Sequence, residues 1–115
     1  MKKPNNPDAP CVRFAMVLLL DATKAGANEL RLAPGEELMV ITQDGEDQPA
    51  PKNDIYQPTV EAILGFAGVR PRLLRKTVSG VPLNFSLAEC CSSWSLESAD
   101  IRHELILRRI RKREP

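Results

Sequence analysis

The chain is poor in aromatic residues and has no long apolar run. Its 115 residues include one tryptophan, one tyrosine and three phenylalanines, so the core must be mainly aliphatic and few rings are available for stacking on bases. No segment approaches the roughly 20 apolar residues of a transmembrane helix. The apolar run at residues 14–20 is too short for a secretory signal, and Asp21 and Lys24 interrupt the approach to a cleavage site. We therefore expect a cytoplasmic protein.

Catalytic motifs are missing as well. The sequence contains no GxxxxGK[ST] phosphate loop, whose glycines, lysine and hydroxyl hold nucleotide phosphates. No G-x-S-x-G elbow surrounds a serine, and His103 is the sole histidine that could serve as a base. Glu46 and Asp47 lie in a polar segment, where no burial would raise the pKa of a general acid. The sequence predicts that the protein is not an enzyme.

The cysteines give no disulfide or metal signature. They are three in number, Cys11, Cys90 and Cys91, and the last two are adjacent. An odd count with an adjacent pair disfavours a disulfide framework. Zinc would need four ligands at short spacings, and His103 is the one other soft ligand. We expect no metal and no cofactor, and we interpret the cysteines as buried structural residues.

The charges are unevenly distributed although the net charge is only +1 and the hydrophobic content is 43%. These values fit one globular domain. Acids dominate residues 36–61, where Lys52 is the sole base, whereas bases outnumber acids in residues 70–113. This asymmetry predicts either surfaces that attract partners of opposite sign or two solvated faces.

An irregular tail at residues 1–10 precedes a helix at residues 11–25, which Gly26 ends. The polar residues of this helix share one arc, yet Val17 and Leu20 fall inside the same arc. A helix with apolar residues on two sides is either deeply buried or covered by a partner. Val17 and Leu20 are therefore candidate contact residues.

The rest of the chain reads as strands and short helices. Alternation or continuous apolarity predicts strands at residues 29–32, 38–41, 80–87, 92–98 and 101–113, and helical spacing predicts helices at 58–68 and 71–78. The strand at 38–41 is apolar on both faces and is predicted to be central, whereas the polar segment 92–98 suits an edge strand. Asp44 and Gly45 predict a tight hairpin turn, and residues 46–57 a loop.

The order of these elements resembles that found in a known family. Four segments of this chain carry the resemblance: ATKAGANELRLAPGEELMVITQDG at residues 22–45, PTVEAILGFAG at 58–68, GVPLNFSL at 80–87 and LILRRI at 105–110. They are similar, over residues 12–110, to the N-terminal domain of the secretion and twitching-motility ATPases, the motors of type IV pilus retraction and type II secretion. The chain departs from that pattern at Arg31, a position often taken by histidine, and at residues 90–93, where CCSS replaces a Gly-Arg-rich stretch.

The resemblance decides the last segment, whose spacing also allows a helix, in favour of a strand. His103 would then share a face with Leu105 and Leu107 as a partly buried, hydrogen-bonded side chain. On that strand Arg109 and Arg111 would continue the same face. Arg108 and Lys112 would lie on the other face.

The resemblance also implies the architecture and the function. Three prolines and two asparagines predict an irregular tail at residues 1–10, and the resemblance implies one domain at 11–111 before a basic end at 112–115. The domain would be an α+β fold in which two or three helices pack on one face of an antiparallel five- to six-stranded sheet, as in PAS-type sensors. We expect a non-catalytic protein-interaction or regulatory module that binds a pilus or secretion ATPase, a related assembly protein, or itself.

The second candidate contact surface is the basic stretch at the end of the chain. Its residues are Arg108, Arg109, Arg111, Lys112 and Arg113. Two alternatives stay open: weak nucleic-acid binding by this stretch through counterion release, and small-molecule sensing in a PAS-like pocket between sheet and helices.

Overall fold

A computed structural model describes residues 9–69 and 77–110 of the chain. Within them the fold is α+β, with two α-helices packed against a six-stranded antiparallel sheet, as the sequence predicted. The elements in chain order are α1 (Pro10–Ala25), β1 (Glu29–Ala33), β2 (Val40–Gln43), β3 (Glu46–Gln48), a 3₁₀ turn (Asn53–Ile55), α2 (Tyr56–Phe66), β4 (Val78–Leu87), β5 (Cys90–Ser98) and β6 (Leu105–Ile110).

The sheet brings the two ends of the chain together. Its strand order is β3-β2-β1-β6-β5-β4, so the last described strand, β6, lies beside the first, β1. Every neighbouring pair is antiparallel. The short strand β3 and the long strand β4 form the two edges.

Helix α1 begins one residue before the predicted start at Cys11 and ends where its sequence predicts. Pro10 takes the first helical position, where the missing N–H is not needed. Gly26 ends the helix in the left-handed region, with φ 69°, and donates its N–H to the carbonyls of Ala22 and Thr23. The buried residues recur with the helical period, which orients one side of α1 toward the sheet. They are Val12, Ala15, Leu18, Leu19 and Ala22.

Two tight turns set the strand registers. Asp44 and Gly45 have φ of 50° and 85°, which confirms the predicted hairpin turn between β2 and β3. The Asp44 carboxylate also accepts the backbone N–H groups of Asn28 and Glu29, each at 2.9 Å, and so holds the turn against the start of β1. Ala88 and Glu89 join β4 to β5 with φ of 51° and 66°, although neither residue type signals such a turn.

Alternation along the strands divides the sheet into two faces. The face toward the helices, here called the covered face, carries buried apolar side chains that form the core. They are Leu30, Leu32, Ile41, Leu83, Phe85, Trp94, Leu96, Leu105 and Leu107. No described helix packs on the opposite, open face. Its residues are mostly polar or small and include Arg31, Thr42, Asn84, Ser93, Ser95, Glu97 and Arg108.

Several predicted elements need correction. Residues 46–57 are not all loop, because β3 and the 3₁₀ turn lie within them and α2 begins at Tyr56. The segment at 38–41 is buried on one side only: Leu38 and Val40 are exposed, whereas Met39 and Ile41 are buried.

The predictions for the second half of the sheet are corrected at two places. β5 is an interior strand between β4 and β6, not an edge strand, because its alternate residues enter the core. The helix predicted at residues 71–78 falls mainly outside the described residues, and Val78, at its predicted end, is the first residue of β4.

Candidate interaction surfaces

The outer surface of α1 carries apolar side chains that the rest of the fold leaves uncovered. Val17 is 51% exposed, and Met16 and Leu20 are half-buried beside it. At 100° per residue these three side chains lie in one arc of the helix, together with the exposed Arg13 and Lys24. We call Met16, Val17 and Leu20 the α1 patch. Both residues predicted here for partner contact belong to it.

A chain of hydrogen bonds holds the last turn of α1 on β5. The Trp94 indole N–H donates to Ser92 Oγ at 2.8 Å, Ser92 Oγ lies 2.8 Å from Thr23 Oγ1, and Thr23 donates to the Leu19 carbonyl at 2.6 Å. Because the indole can only donate, Ser92 accepts from Trp94 and donates to Thr23. The helix therefore presents the α1 patch from a defined position. Sequence reasoning missed this chain, since the strand containing Ser92 was interpreted as a polar edge.

The basic stretch is divided between the two faces of the sheet, as strand alternation predicted. Arg108 lies on the open face, where its Nε is 2.9 Å from Glu97 Oε2 and its NH1 is 3.7 Å from Glu29 Oε2. Arg109 lies on the covered face, with its guanidinium carbon 5.2 Å from the centroid of the Trp94 ring. This distance fits a cation–π contact, so Arg109 contributes to packing within the domain. Arg111, Lys112 and Arg113 lie outside the described residues.

Within the described part of the basic stretch, Arg108 does not lie beside the α1 patch. The α1 patch lies on the side of the molecule where the helices cover the sheet, whereas Arg108 lies on the open face. Arg108 is also already engaged by two carboxylates. Among the described residues, the α1 patch is therefore the better candidate for partner contact.

A broad depression of about 520 Å³ lies at the end of β4, β5 and β6. Residues of both faces line it: Asn84, Ser86, Cys91, Ser93 and Ile110 from the open face, and Phe85, Ser92 and Arg109 from the covered face. Ser93 donates to Asn84 Oδ1 at 2.8 Å, and Ser86 Oγ lies 3.4 Å from Cys91 Sγ, so these four open-face side chains pair with one another. All of these lining residues belong to strands, whereas the pocket of a PAS-like sensor would lie between sheet and helices.

The cysteines are less buried than the sequence predicted. Cys91 is exposed, and Cys11 and Cys90 are only partly buried, because Cys91 lies on the open face and the other two lie near element ends. All three are free thiols. No group of three or more histidine, cysteine, aspartate or glutamate side chains suited to a metal occurs within residues 9–69 and 77–110.

The prediction for His103 is wrong. Its side chain is 76% exposed, because the residue lies in a turn before β6 begins at Leu105 and so does not share the covered face. Its Nε2 is 3.8 Å from the Asp100 carboxylate. Asp100 accepts side-chain and backbone hydrogen bonds from Arg102, which hold the pKa of Asp100 well below its usual range.

Tyr56 joins α2 to the same turn. Its hydroxyl donates to the Ile101 carbonyl at 2.7 Å. Burial raises the pKa of Tyr56 far above its ordinary value, and the nearby carboxylates of Glu104 and Asp100 raise it further. The phenol therefore stays neutral and acts as a structural hydrogen-bond donor.

Comparison with models of protein families gave no match, and comparison with curated proteins gave none either. Within the described part of the chain, neither helix has the length and apolar character needed to cross a membrane. The resemblance to the pilus and secretion motors therefore rests on the order and spacing of the segments in the sequence.

Proposed function

We propose that this chain is a non-catalytic interaction or regulatory module, related to the PAS-like N-terminal domain of the pilus and secretion motor ATPases and acting in the cytoplasm. Its partner is a motor ATPase or an assembly protein that works with one. The observation that carries the proposal is the α1 patch, with Val17 51% exposed on a helix whose opposite side is buried.

The order of elements supports the relation to the motor domain. A helix ends at Gly26, two strands follow on either side of Pro34 and Gly35, and Asp44 and Gly45 form a hairpin turn. A second helix and a strand then follow, and β6 is the last described strand. Each piece that carries the resemblance thus has the expected type of secondary structure.

The chemistry of α1 supports protein contact. Single exposed apolar residues are common on protein surfaces, but here Val17 adjoins two other incompletely covered apolar side chains, Met16 and Leu20. Arg13 and Lys24 border them. This arrangement fits a partner that offers an apolar contact with acidic groups at its margin, because the apolar side chains gain burial and the bases gain counter-charges.

The experiment is a pull-down from the native cell lysate with the tagged full chain and two variants. Val17→Asp places a charge in the α1 patch. Val40→Asp is the matched control, since it makes the same change at a valine that is 42% exposed on the open face. Circular dichroism confirms that both variants fold. We expect the parent and Val40→Asp to recover a pilus or secretion ATPase or an assembly protein, and Val17→Asp to lose it.

Three outcomes would overturn the proposal. The parent could recover no motor or assembly protein. Equal recovery by Val17→Asp and the parent would remove the α1 patch from the contact. Recovery of nucleic acid alone, released at high salt, would favour the basic stretch instead.

A further inference from the structure

Strand β4 forms an edge of the sheet that carries no charge. It runs over ten residues, Val78–Leu87, and is the longest of the described strands. None of these residues is charged. An unprotected edge presents unpaired N–H and C=O groups to which another strand can bind.

The hairpin between β4 and β5 determines which backbone groups are free. Leu87 and Cys90 flank the two-residue turn and form a hydrogen-bonded pair; such pairs alternate along an antiparallel ladder. The intervening residues therefore direct their backbone groups away from β5. They are Pro82, Asn84 and Ser86, all exposed. Pro82 lacks an N–H. A strand tolerates proline at an outward-facing position of an edge, because no neighbouring strand needs that donor.

The opposite edge is protected against pairing. β3 has only three residues, Glu46–Gln48, and its Glu46 and Asp47 are exposed. Two β3 edges brought together would place these acids side by side, which short charged edge strands are suited to prevent. β4 has no such charges; its bulge between Ser79 and Val81 and its Pro82 limit the part of this edge that can pair to residues 82–86. The two edges of one sheet therefore differ in the partner that they admit.

We propose that β4 pairs with β4 of a second copy of this chain, antiparallel and about a two-fold axis near Asn84. In this register the two Asn84 residues exchange backbone hydrogen bonds, and each Ser86 N–H donates to the Pro82 carbonyl of the other copy. Pro82 thus takes part through its carbonyl, the one hydrogen-bonding group that its backbone has. The pairing is self-complementary, as a two-fold contact requires, and no like charges meet along it.

The pairing is reversible. A contact limited to a few strand residues buries less than the about 800 Å² per partner that is typical of a stable interface. Monomer and dimer should therefore exchange in a concentration-dependent way. The proposal is independent of the proposed function, because it uses β4 rather than the α1 patch and needs no other protein.

The test is sedimentation equilibrium of the purified full chain over a series of concentrations with reductant present. Asn84→Pro removes the outward N–H, while Asn84→Ala keeps it; both lose the side-chain bond from Ser93, so the pair differs in the backbone donor. Asn84→Lys places like charges at the two-fold axis. Val40→Lys is its control, with the same charge on the open face away from β4.

We expect the parent, Asn84→Ala and Val40→Lys to dimerise with similar strength. Asn84→Pro and Asn84→Lys should associate at least about tenfold more weakly, with unchanged circular dichroism. A parent that stays monomeric at every concentration, including one whose β4 binds a strand of another protein, overturns the proposal. So does equal association of Asn84→Pro and Asn84→Ala, or a dimer seen only without reductant, which would be a disulfide through the exposed Cys91.

Discussion

The covered and open faces of the sheet are formed by the same strands but differ in how side chains are satisfied. In β5 the neighbours Ser92 and Ser93 have the same side chain, yet Ser92 is 8% exposed on the covered face and Ser93 lies on the open face. Ser92 can be buried because Trp94 and Thr23 bond its hydroxyl. Polarity alone therefore does not decide which face a serine occupies.

Apolar residues on the open face also differ in burial, according to their neighbours. Ile106 is 9% exposed although it lies there, since it sits between Arg31 on β1 and Glu97 on β5, whose aliphatic stems can cover it. Ile110, farther along the same strand, is 45% exposed. Burial thus depends on the neighbours in the adjacent strands. Paired substitutions on the two faces should therefore have different effects on stability.

The largest expected difference between the faces is at Trp94, which is fully buried. Trp94→Ala should lower the free energy of unfolding by about 3–5 kcal/mol, because it leaves a cavity on the covered face. Ser95→Ala, one residue along on the open face, should change it by less than about 0.5 kcal/mol. Urea denaturation of both variants measures this. Similar values for the two would refute the assignment of the faces.

The serine pair gives the next largest effect. Ser92→Ala should cost about 1–3 kcal/mol, since the Trp94 indole loses its acceptor and the Thr23 hydroxyl loses its donor. Ser93→Ala should cost less than about 0.5 kcal/mol, because its bond to Asn84 is exposed to water. Guanidinium denaturation distinguishes them. A larger cost for Ser93→Ala would contradict the account of the buried chain.

The buried Tyr56 should make the stability of the fold depend on pH. The raised pKa means that folding favours the protonated phenol, so this stabilisation is complete below the ordinary pKa of 10.0 and is lost as pH rises above it. We expect stability to fall above pH 10.0, and to fall less steeply in Tyr56→Phe. That variant should also lose about 1 kcal/mol at neutral pH through its missing hydrogen bond to Ile101. Parallel pH slopes for the two proteins would exclude Tyr56 as the cause.

Thr59 offers a gain in stability. Its side chain is fully buried, and its hydroxyl makes no hydrogen bond with any described residue. Thr59→Val keeps the shape and removes the unpaired hydroxyl, so it should stabilise by about 1 kcal/mol. Thr42→Val, on the open face, is the control and should stay within about 0.5 kcal/mol of the parent. Thermal unfolding measures both, and a lower melting temperature for Thr59→Val would show that the hydroxyl has a partner.

The smallest effect concerns the two neighbouring arginines. Arg108→Ala should cost between about 0 and 1 kcal/mol, with less effect at high salt, since its ion pairs are exposed. Arg109→Ala should cost more, by about 1 kcal/mol, because it removes the contact with the Trp94 ring. Denaturation at low and high salt separates the two contributions. Equal salt sensitivity of the two variants would contradict the division of the basic stretch between the faces.

Local sequence signals predicted much of the fold. The periodicity of residues 11–25 and 80–87 gave α1 and most of β4, and Asp44 and Gly45 gave a hairpin turn that the φ angles confirm. These predictions succeeded because the interactions that determine them lie within a few residues of each other. β3 was missed because its three residues are all polar, and it pairs with β2 only through the backbone.

Contacts between distant residues explain most of the remaining errors. β5 was predicted as an edge because its many serines look solvated, and only the hydroxyl of Thr23, 69 residues away, makes a buried Ser92 acceptable. His103 was placed on the covered face because the last strand was taken to begin too early. Among the candidate site residues, the incomplete burial of Val17 and Leu20 could be predicted from the helical pattern. The engagement of Arg108 and Arg109 by other strands could not.

Trp94 gives the protein a spectroscopic probe at the joint between helix and sheet. It is the one tryptophan in the chain, and its indole N–H begins the hydrogen-bond chain that ends in α1. The intrinsic fluorescence of the chain therefore comes from an indole that senses whether the last turn of α1 is docked. A partner that lifts or shifts α1 would change the emission and speed the exchange of the indole proton, so binding at the α1 patch can be followed without any added label.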